Sequence, residues 1–156
     1  MSKPVHIRKA KPSDADSLAT LCITVWIDTY CMEGIEAPLA SYVLSEYSAD
    51  SLKKRVSEKT VLVAESKASL LGLAVLDDGT GEIETLYVLP RFKGLGVGRL
   101  LVEELKNHSS SPLFLTCWEG NQAALRFYDR LGFVETGETC FELDGKKHRN
   151  IRLQTG

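Results

Sequence analysis

The segment LYVLPRFKGLGVGRLL at residues 86–101 is the most informative part of the chain, because it joins a strand pattern to a helix pattern through alternating glycines. Gly94, Gly96 and Gly98 remove side chains from the backbone where the helix begins. A helix N-terminus presents unpaired N–H groups and a positive dipole end, which together bind anions. Three basic side chains belong to the same segment, at Arg91, Lys93 and Arg99. The stretch therefore predicts a phosphate-binding loop.

The alternation of the glycines excludes two common phosphate-binding motifs. A mononucleotide P-loop requires GxxxxGK followed by Ser or Thr, and a dinucleotide fingerprint requires GxGxxG. The glycines at 94, 96 and 98 match neither motif, so the segment has to be a different type of pyrophosphate-binding loop. The alternative is a glycine-rich turn with basic residues for solubility, and the strand before and the helix after favour the binding loop.

The same residues resemble the signature of the GNAT superfamily of acetyl-CoA-dependent N-acetyltransferases. That signature is Arg or Gln, two residues, Gly, one residue, and Gly or Ala. In the preferred register Lys93 takes the first position, with Gly96 and Gly98 as the glycines. Lys93 departs from the pattern, since it keeps the charge but lacks the planar fork of arginine. Arg91 with Gly94 also satisfies the spacing but shifts the loop by two residues against the preceding strand.

A second segment, LFLTCWEGNQAALRFYDRLGF at residues 113–133, resembles the later block of the same family. The two blocks together cover residues 82–133. A narrower resemblance, to bacterial polyamine (spermidine/spermine) acetyltransferases implicated in sporulation control, rests on EIE at 82–84, VWIDTY at 25–30 and CWEGNQAALRFYDRLGFVETG at 117–137.

The apolar pattern predicts one α/β (α+β) domain over residues 1–156. An amphipathic helix carries a stripe from Ala15 to Trp26, and two shorter helices follow at about 38–47 and 50–58. Strand patterns at 5–8, 61–64, 70–76 and 82–88 are followed by a helix with Val97, Leu100, Leu101 and Leu105 inward. A strand at 113–117, a helix at 122–131 and three strands, FVETGE, TCFEL and HRNIRLQ, complete the chain, with a turn at Asp144-Gly145. The resemblance implies the GNAT fold, a mixed, mostly antiparallel central sheet flanked by helices.

Acetyl transfer to an amine requires a proton acceptor, because an alkylamine with a pKa of ~10.4 is almost fully protonated at pH 7. Glu82 and Glu84 lie two apart on a strand and are candidates for the general base. Their alternative role is a solvated strand face. The resemblance implies Tyr128 as the general acid that protonates the departing thiolate, with helix packing as the alternative. It also implies that backbone N–H groups of Leu86, Tyr87 and Val88 bind the thioester carbonyl and pantetheine.

The resemblance implies acetyl-CoA as the cosubstrate, with no metal. The residues expected to bind it are Lys93, Gly94, Leu95, Gly96, Val97, Gly98, Arg99, Asn121 and Tyr128. Asn121 is also a candidate helix cap. Family members build the acceptor pocket from the first two helices, which here implies Trp26, Tyr30 and Glu33, together with Tyr42. His148 lies in a turn-like polar context and is predicted to be solvated.

The charges are divided unevenly along the chain. Residues 13–52 contain seven acids and neither Lys nor Arg: Asp14, Asp16, Asp28, Glu33, Glu36, Glu46 and Asp50. The rest has nineteen basic and fourteen acidic side chains, a balance of +5. Basic residues near the loop suit an anionic cosubstrate, and Glu33 and Glu36 suit a cationic amine acceptor.

Composition limits the partners. A chain of 156 residues with a net charge of −2 and 44% hydrophobic residues is typical of a globular domain, which argues against nucleic acid as the main partner. The four cysteines form no CxxC pair and lie far from the three histidines, which argues against a zinc site or a disulfide framework. No apolar run has the length of a signal peptide or a membrane span, so we expect a cytoplasmic protein.

Two other functions stay open at this stage. One is acetylation of a protein N-terminus or lysine by the same chemistry, and the other is a non-catalytic acyl-CoA-binding sensor. A homodimer is expected only by analogy with the family.

Overall fold

The computed structural model describes residues 4–143 and 145–155, which form five α-helices, seven strands and two 3-10 turns. In chain order the helices and strands are β1 (His6–Lys9), α1 (Ala15–Tyr30), α2 (Ala37–Glu46), α3 (Ala49–Glu58), β2 (Thr60–Ser66), β3 (Ser69–Asp77), β4 (Glu82–Val88), α4 (Val97–Lys106), β5 (Phe114–Trp118), α5 (Gln122–Arg130), β6 (Val134–Leu143) and β7 (Lys146–Gln154).

The strands form one sheet in the order β1-β2-β3-β4-β5-β7-β6. Every neighbouring pair is antiparallel except β4 and β5, which are parallel and connected through α4. The short links between β2, β3 and β4 form the antiparallel meander expected from their length. The mixed, mostly antiparallel sheet predicted from the sequence is therefore confirmed.

Helices cover both faces of the sheet. Along β2, Val61 and Val63 pack with α1, α2 and α3 on one face, whereas Leu62 and Ala64 pack with α4 and α5 on the other. Burial on both faces requires an almost continuous apolar strand, which is why the β2 and β3 sequences show little alternation. On α1, all six residues of the predicted stripe are at most 8% exposed.

A single residue pair joins β4 to β5. Glu82 pairs with Phe114, and the Phe114 N–H donates to the Gly81 carbonyl at 3.0 Å. On its other side β4 carries a β-bulge, because Leu76 pairs with Ile83 and Val75 with Thr85, leaving Glu84 as the extra residue. Bulges bend a strand and increase its twist. Beyond the first pair β4 therefore diverges from β5 and leaves a gap in the sheet.

Three predictions of local structure differ from the structure or lie outside it. Leu100 is 40% exposed, because the α4 residues that face the sheet are Val97, Leu101, Val102 and Leu105. The segments FVETGE and TCFEL form one strand, β6, because pairing with β7 continues without interruption from Glu138 to Thr139; the register shift lies earlier, between Glu135 and Gly137. Gly145 has a φ of +75°, as a tight turn requires, and Asp144 lies outside the described residues.

We expect Gly81→Ala to destabilise the protein strongly. Gly81 has a φ of +89°, and a Cβ there would lie 2.5 Å from the Pro112 carbonyl oxygen. The strained φ and the clash together should lower the free energy of unfolding by about 2–4 kcal/mol, measured by urea denaturation. Gly132→Ala is the matched control, since Gly132 has the same φ but open space around the position of the Cβ. Gly132→Ala should lower the free energy of unfolding by about 1 kcal/mol. Equal losses of stability in the two variants would show that the contact with the Pro112 carbonyl oxygen does not matter.

Candidate active site

A cavity of about 950 Å³ opens in the gap between β4 and β5. It extends from the glycine loop and the first turn of α4 to α1, α2 and the hairpin of β6 and β7. The predicted site residues line it, with two exceptions. Leu95 is 68% exposed on the loop, and Glu82 lies in a smaller neighbouring cavity of about 520 Å³.

The edge of β4 that faces the gap carries backbone polar groups. The Leu89 N–H donates to the Leu71 carbonyl on β3 at 2.9 Å. Hydrogen-bonded positions alternate along an antiparallel pair, so Tyr87, opposite Leu73, also points its backbone groups to β3. Leu86 and Val88 consequently point their N–H and C=O groups into the gap. The sequence alone could not distinguish these two residues from Tyr87, because the direction of each backbone N–H depends on how β4 is paired with β3.

The glycines of the loop have different structural roles. Gly94 and Gly96 have φ values of +81° and +86°, a region that glycine adopts without strain. Gly96 is the N-cap of α4, and its carbonyl accepts the first helical hydrogen bond, from Leu100 at 3.1 Å. Gly98 is helical, and a Cβ there would lie 2.9 Å from the Phe127 ring.

These conformations leave a group of N–H donors at the cavity wall. The N–H groups in the first turn of α4 have no partner within the helix. Lys93, just before this turn, and Arg99, within it, line the same cavity. Arg130, in the last turn of α5, adds a third cation to this end. No motif pointed to Arg130, because this residue reaches the cavity through the packing of α5.

Tyr128 lies on α5 and is 7% exposed. Its ring packs edge-on against Phe127 and Phe133, with centroids 5.1 and 5.3 Å away. Burial raises the pKa of Tyr128, and the neighbouring Cys117 and Tyr30 add to the shift. The phenol therefore stays protonated at neutral pH at the cavity wall. Asn121 caps α5, since its side-chain oxygen accepts from the Ala124 N–H at 3.2 Å, and it also lines the cavity.

The two candidate carboxylates occupy different positions. Glu84, the bulge residue, lines both cavities, and its carboxylate lies 3.2 Å from the Lys59 ammonium. Lys59 also contacts Asp77 at 2.9 Å. Glu82 lines only the smaller cavity. Burial raises the pKa of Glu82, the negative charges of Glu84 and Asp77 raise it further, and Lys59 opposes the shift.

The opposite end of the cavity is aromatic and acidic. Trp26 is 4% exposed and belongs to the core, and yet it lines the cavity together with Tyr30 and Tyr42. Glu33 and Glu36 line it from the segment that joins α1 to α2. The predicted acceptor residues are therefore brought together at one end.

Three further residues at this end were not predicted as site residues: Trp118, Phe141 and His148. The prediction of a solvated His148 is wrong, because its ring packs against Trp118 and Phe141 with centroids 5.9 and 6.1 Å away. Phe141 lies opposite His148 in the β6–β7 ladder, a pairing that follows from a turn at 144–145. Trp118 has no such local signal, because it approaches His148 through the pairing of β5 with β7.

Within residues 4–143 and 145–155, no three His, Cys, Asp or Glu side chains gather in a way that could hold a metal ion. In the same residues no helix is both long enough and apolar enough to cross a membrane.

Comparison with known proteins identifies the class to which this architecture belongs. Residues 27–154 match the family model of the acetyltransferase (GNAT) domain. An uncharacterised N-acetyltransferase of Mycobacterium bovis is 29% identical over 153 residues, which cover 88% of this chain and 94% of that protein. The chain belongs to the GNAT family of N-acetyltransferases, as the two sequence blocks predicted.

Solved structures show the same fold. A GCN5-related N-acetyltransferase from Rhodopseudomonas palustris superposes with a TM-score of 0.82 at 19% identity, covering 99% of this chain and 98% of that one. The PaiA N-acetyltransferase from Thermoplasma acidophilum, solved in complex with coenzyme A, superposes with a TM-score of 0.81 at 22% identity, covering 99% of both chains. The narrower resemblance to polyamine acetyltransferases is not confirmed by these comparisons.

Proposed function

We propose that this protein transfers the acetyl group of acetyl-CoA to a primary amine of a small cationic, polyamine-like molecule. One observation carries the proposal. The cavity between β4 and β5 is cationic at the glycine loop, is lined by Tyr128, and is aromatic and acidic at α1 and α2. An anionic cosubstrate and a cationic acceptor suit opposite ends of such a cavity.

The residues at the loop fit the pyrophosphate of acetyl-CoA. The open space around Gly94 and Gly96 leaves the backbone accessible, and the first-turn N–H groups of α4 supply hydrogen bonds and a positive dipole. The Lys93 ammonium supplies a compact positive charge at the same wall, and the Arg99 guanidinium supplies a planar positive group with several N–H donors. Acetyl-CoA supplies the activated acetyl group as a thioester. The backbone groups of Leu86 and Val88 face the gap where its carbonyl and pantetheine would lie.

We propose Glu84 as the general base. The acceptor ammonium has to lose a proton before its nitrogen can attack, and a carboxylate accepts that proton directly or through water. Glu84 lines both the main cavity and the smaller cavity next to it. Glu82 lines the smaller cavity. Glu82, whose pKa is raised by burial, is then a neighbouring acceptor to which the proton can pass.

We propose that Tyr128 is the general acid. The leaving thiolate resembles that of cysteine, with a pKa of ~8.5, and needs a proton as it departs. Burial raises the pKa of Tyr128, so the hydroxyl is protonated at neutral pH and is the proton donor we assign to the thiolate as the C–S bond breaks. The backbone N–H groups of Leu86 and Val88 would stabilise the oxyanion, because they are fixed by the β3 register.

The first prediction concerns acetyl-CoA binding. At a hundred times its dissociation constant acetyl-CoA should stabilise the fold by about 2.7 kcal/mol and raise the Tm by roughly 5–10 °C, measured by differential scanning fluorimetry. Replacing Lys93 or Arg99 with Glu should reduce the shift, whereas Lys106→Glu, at the other end of α4, should not. No shift with the wild-type protein at millimolar acetyl-CoA would overturn the proposed function.

The acceptor class is tested with the same protein by measuring thiol release across polyamines, amino acids, aminoglycosides and peptides. We expect turnover with polyamine-like diamines. Turnover on peptides alone would show a protein acetyltransferase, and acetyl-CoA binding without turnover on any amine would show an acyl-CoA sensor.

The second prediction separates the two carboxylates. Glu84→Gln should lower kcat at pH 7 by about 100-fold or more, since the amine loses its proton acceptor, with the loss recovered as the pH approaches the pKa of the amine. Glu82→Gln should lower kcat by less than 10-fold. The measurement is the pH profile of kcat from pH 6 to 10. If the loss of kcat in Glu84→Gln is the same at every pH, or if neither variant changes kcat, the general base is a different residue.

The third prediction concerns Tyr128. Tyr128→Phe keeps the ring in its contacts with Phe127 and Phe133 but removes the proton donor, so kcat should fall by about 100-fold. The Kd for acetyl-CoA should stay within about 2-fold. Tyr47→Phe, which removes a hydroxyl hydrogen-bonded to Tyr87 at 3.0 Å, is the control for loss of a buried hydroxyl. An unchanged kcat in Tyr128→Phe would remove this residue from the mechanism.

A further inference from the structure

Six aromatic rings form a closed circuit at the acceptor end of the cavity. Each ring is a neighbour of the next, in the order Trp26, Tyr30, Trp118, His148, Phe141 and Tyr42, and Tyr42 returns to Trp26. Successive centroids are 4.7, 5.4, 5.9, 6.1, 5.8 and 5.4 Å apart. We call these six residues the aromatic circuit. They come from α1, α2, β5, β6 and β7.

All six residues of the aromatic circuit line the cavity, so the circuit borders open space rather than closing into a packed core. The face of an aromatic ring carries negative electrostatic potential, and it attracts a cation within about 6 Å of its centroid. Neighbouring rings of the circuit have centroids 4.7 to 6.1 Å apart, so a cation seated between two adjacent rings lies within that distance of both, and their attractions add.

The charged groups at this end also favour a cation. Glu33 and Glu36 line the cavity from the segment after α1, the helix that carries Trp26 and Tyr30. Glu84 also lines it but is ion-paired with Lys59 at 3.2 Å, and Lys146, on β7, opposes Glu33 and Glu36. A neutral aromatic amine would gain nothing from this excess of carboxylates, whereas a positively charged group gains from both the rings and the acids.

We propose that the aromatic circuit binds a second positive group of the acceptor, so that the substrate class is a primary alkylamine that also carries an alkylated ammonium group. This inference rests on the proposed function, because it assigns the part of the acceptor that does not react. A quaternary or alkylated ammonium suits rings better than carboxylates, since it is weakly hydrated and has few or no N–H groups to donate.

The binding test uses ligands that have no amine to acetylate. Choline and 3,3-dimethylbutan-1-ol have the same shape and differ in a positive nitrogen against a neutral carbon. Both tryptophans of the chain belong to the aromatic circuit, so intrinsic tryptophan fluorescence reports its occupancy. We expect choline to bind about 3- to 30-fold more tightly than the neutral alcohol, the range for a desolvated cation on aromatic faces.

Matched variants show whether the rings produce this preference. Tyr30→Leu should reduce the choline preference by about 3-fold or more, and Tyr30→Phe, which keeps the ring, should retain it. Leu39→Ala changes an aliphatic residue of the cavity wall and should affect both ligands equally. Phe141→Leu serves as a second ring deletion if Tyr30→Leu does not fold, as judged by circular dichroism.

The same titration at 0.5 M NaCl separates rings from carboxylates, because salt screens exposed charges far more than contacts with aromatic faces. A preference that survives high salt supports the proposal. Equal affinity for the two ligands, tighter binding of the alcohol, loss of the preference at high salt, or an unchanged preference in the ring deletions would overturn it.

Acetyl transfer provides the final comparison, with (2-aminoethyl)trimethylammonium and 3,3-dimethylbutan-1-amine as acceptors. We expect a lower KM for the charged amine and a loss of that difference in Tyr30→Leu. If choline binds as expected but no amine is acetylated, the proposed enzyme function fails, and with it the role of the circuit in acceptor binding, while the binding of an alkylated ammonium by the rings stands. If both amines are acetylated with equal KM, the enzyme function stands and the assignment fails.

Discussion

The site depends on the way in which β4 and β5 separate. The two strands share one paired position, Glu82 with Phe114, and a bulge at Glu84 bends β4 away from its neighbour. The same separation of the two strands has two consequences. It exposes the backbone groups of Leu86 and Val88, and it supplies the volume that the cavity occupies. A fully paired sheet would satisfy those backbone groups and leave no room for a substrate.

The rest of the architecture keeps this gap open without loss of stability. Unpaired backbone groups in a sheet are costly when they are buried, so they need a partner or access to water. The cavity provides that access. The strands on either side are secured independently, β4 by its pairing with β3 and β5 by its pairing with β7. The helices cover the two faces of the sheet as separate apolar clusters. The position of each strand beside the gap is therefore set from its other side, by a strand that does not border the gap.

The cavity is electrostatically divided, and the division follows the order of the chain. The cations at the glycine loop and on α5 lie at one end, where the amides of α4 begin. Residues 13–52, without a single Lys or Arg, form the helices at the other end. The overall charge of −2 conceals this arrangement, because the −7 of residues 13–52 and the +5 of the rest of the sequence nearly cancel. In a cavity with low-dielectric walls, charges of opposite sign at the two ends attract different ligands.

The sequence by itself determined the family, the order of helices and strands, and the residues of the glycine loop. These depend on local patterns: glycines at fixed spacing, a helix start, apolar periodicity and short links between strands. The resemblance to the GNAT family, which rests on two of these local patterns, implied that Tyr128, Asn121, Trp26, Tyr30 and Glu33 belong to one site, and all five line one cavity.

The tertiary structure alone decided what depends on register and on contacts between distant segments. The distinction of Leu86 and Val88 from Tyr87, and of Glu84 from Glu82, comes from the bulge and from pairing with β3, which no local pattern encodes. Leu95 is named by the loop motif but points away from the cavity wall, because the motif constrains backbone conformation rather than every side chain. The aromatic circuit draws Trp118 and His148 to rings on α1 and α2 through the β5–β7 ladder. Residues so far apart in the chain meet only when the whole sheet has formed, and for that reason the sequence named half of the circuit and the fold supplied the rest.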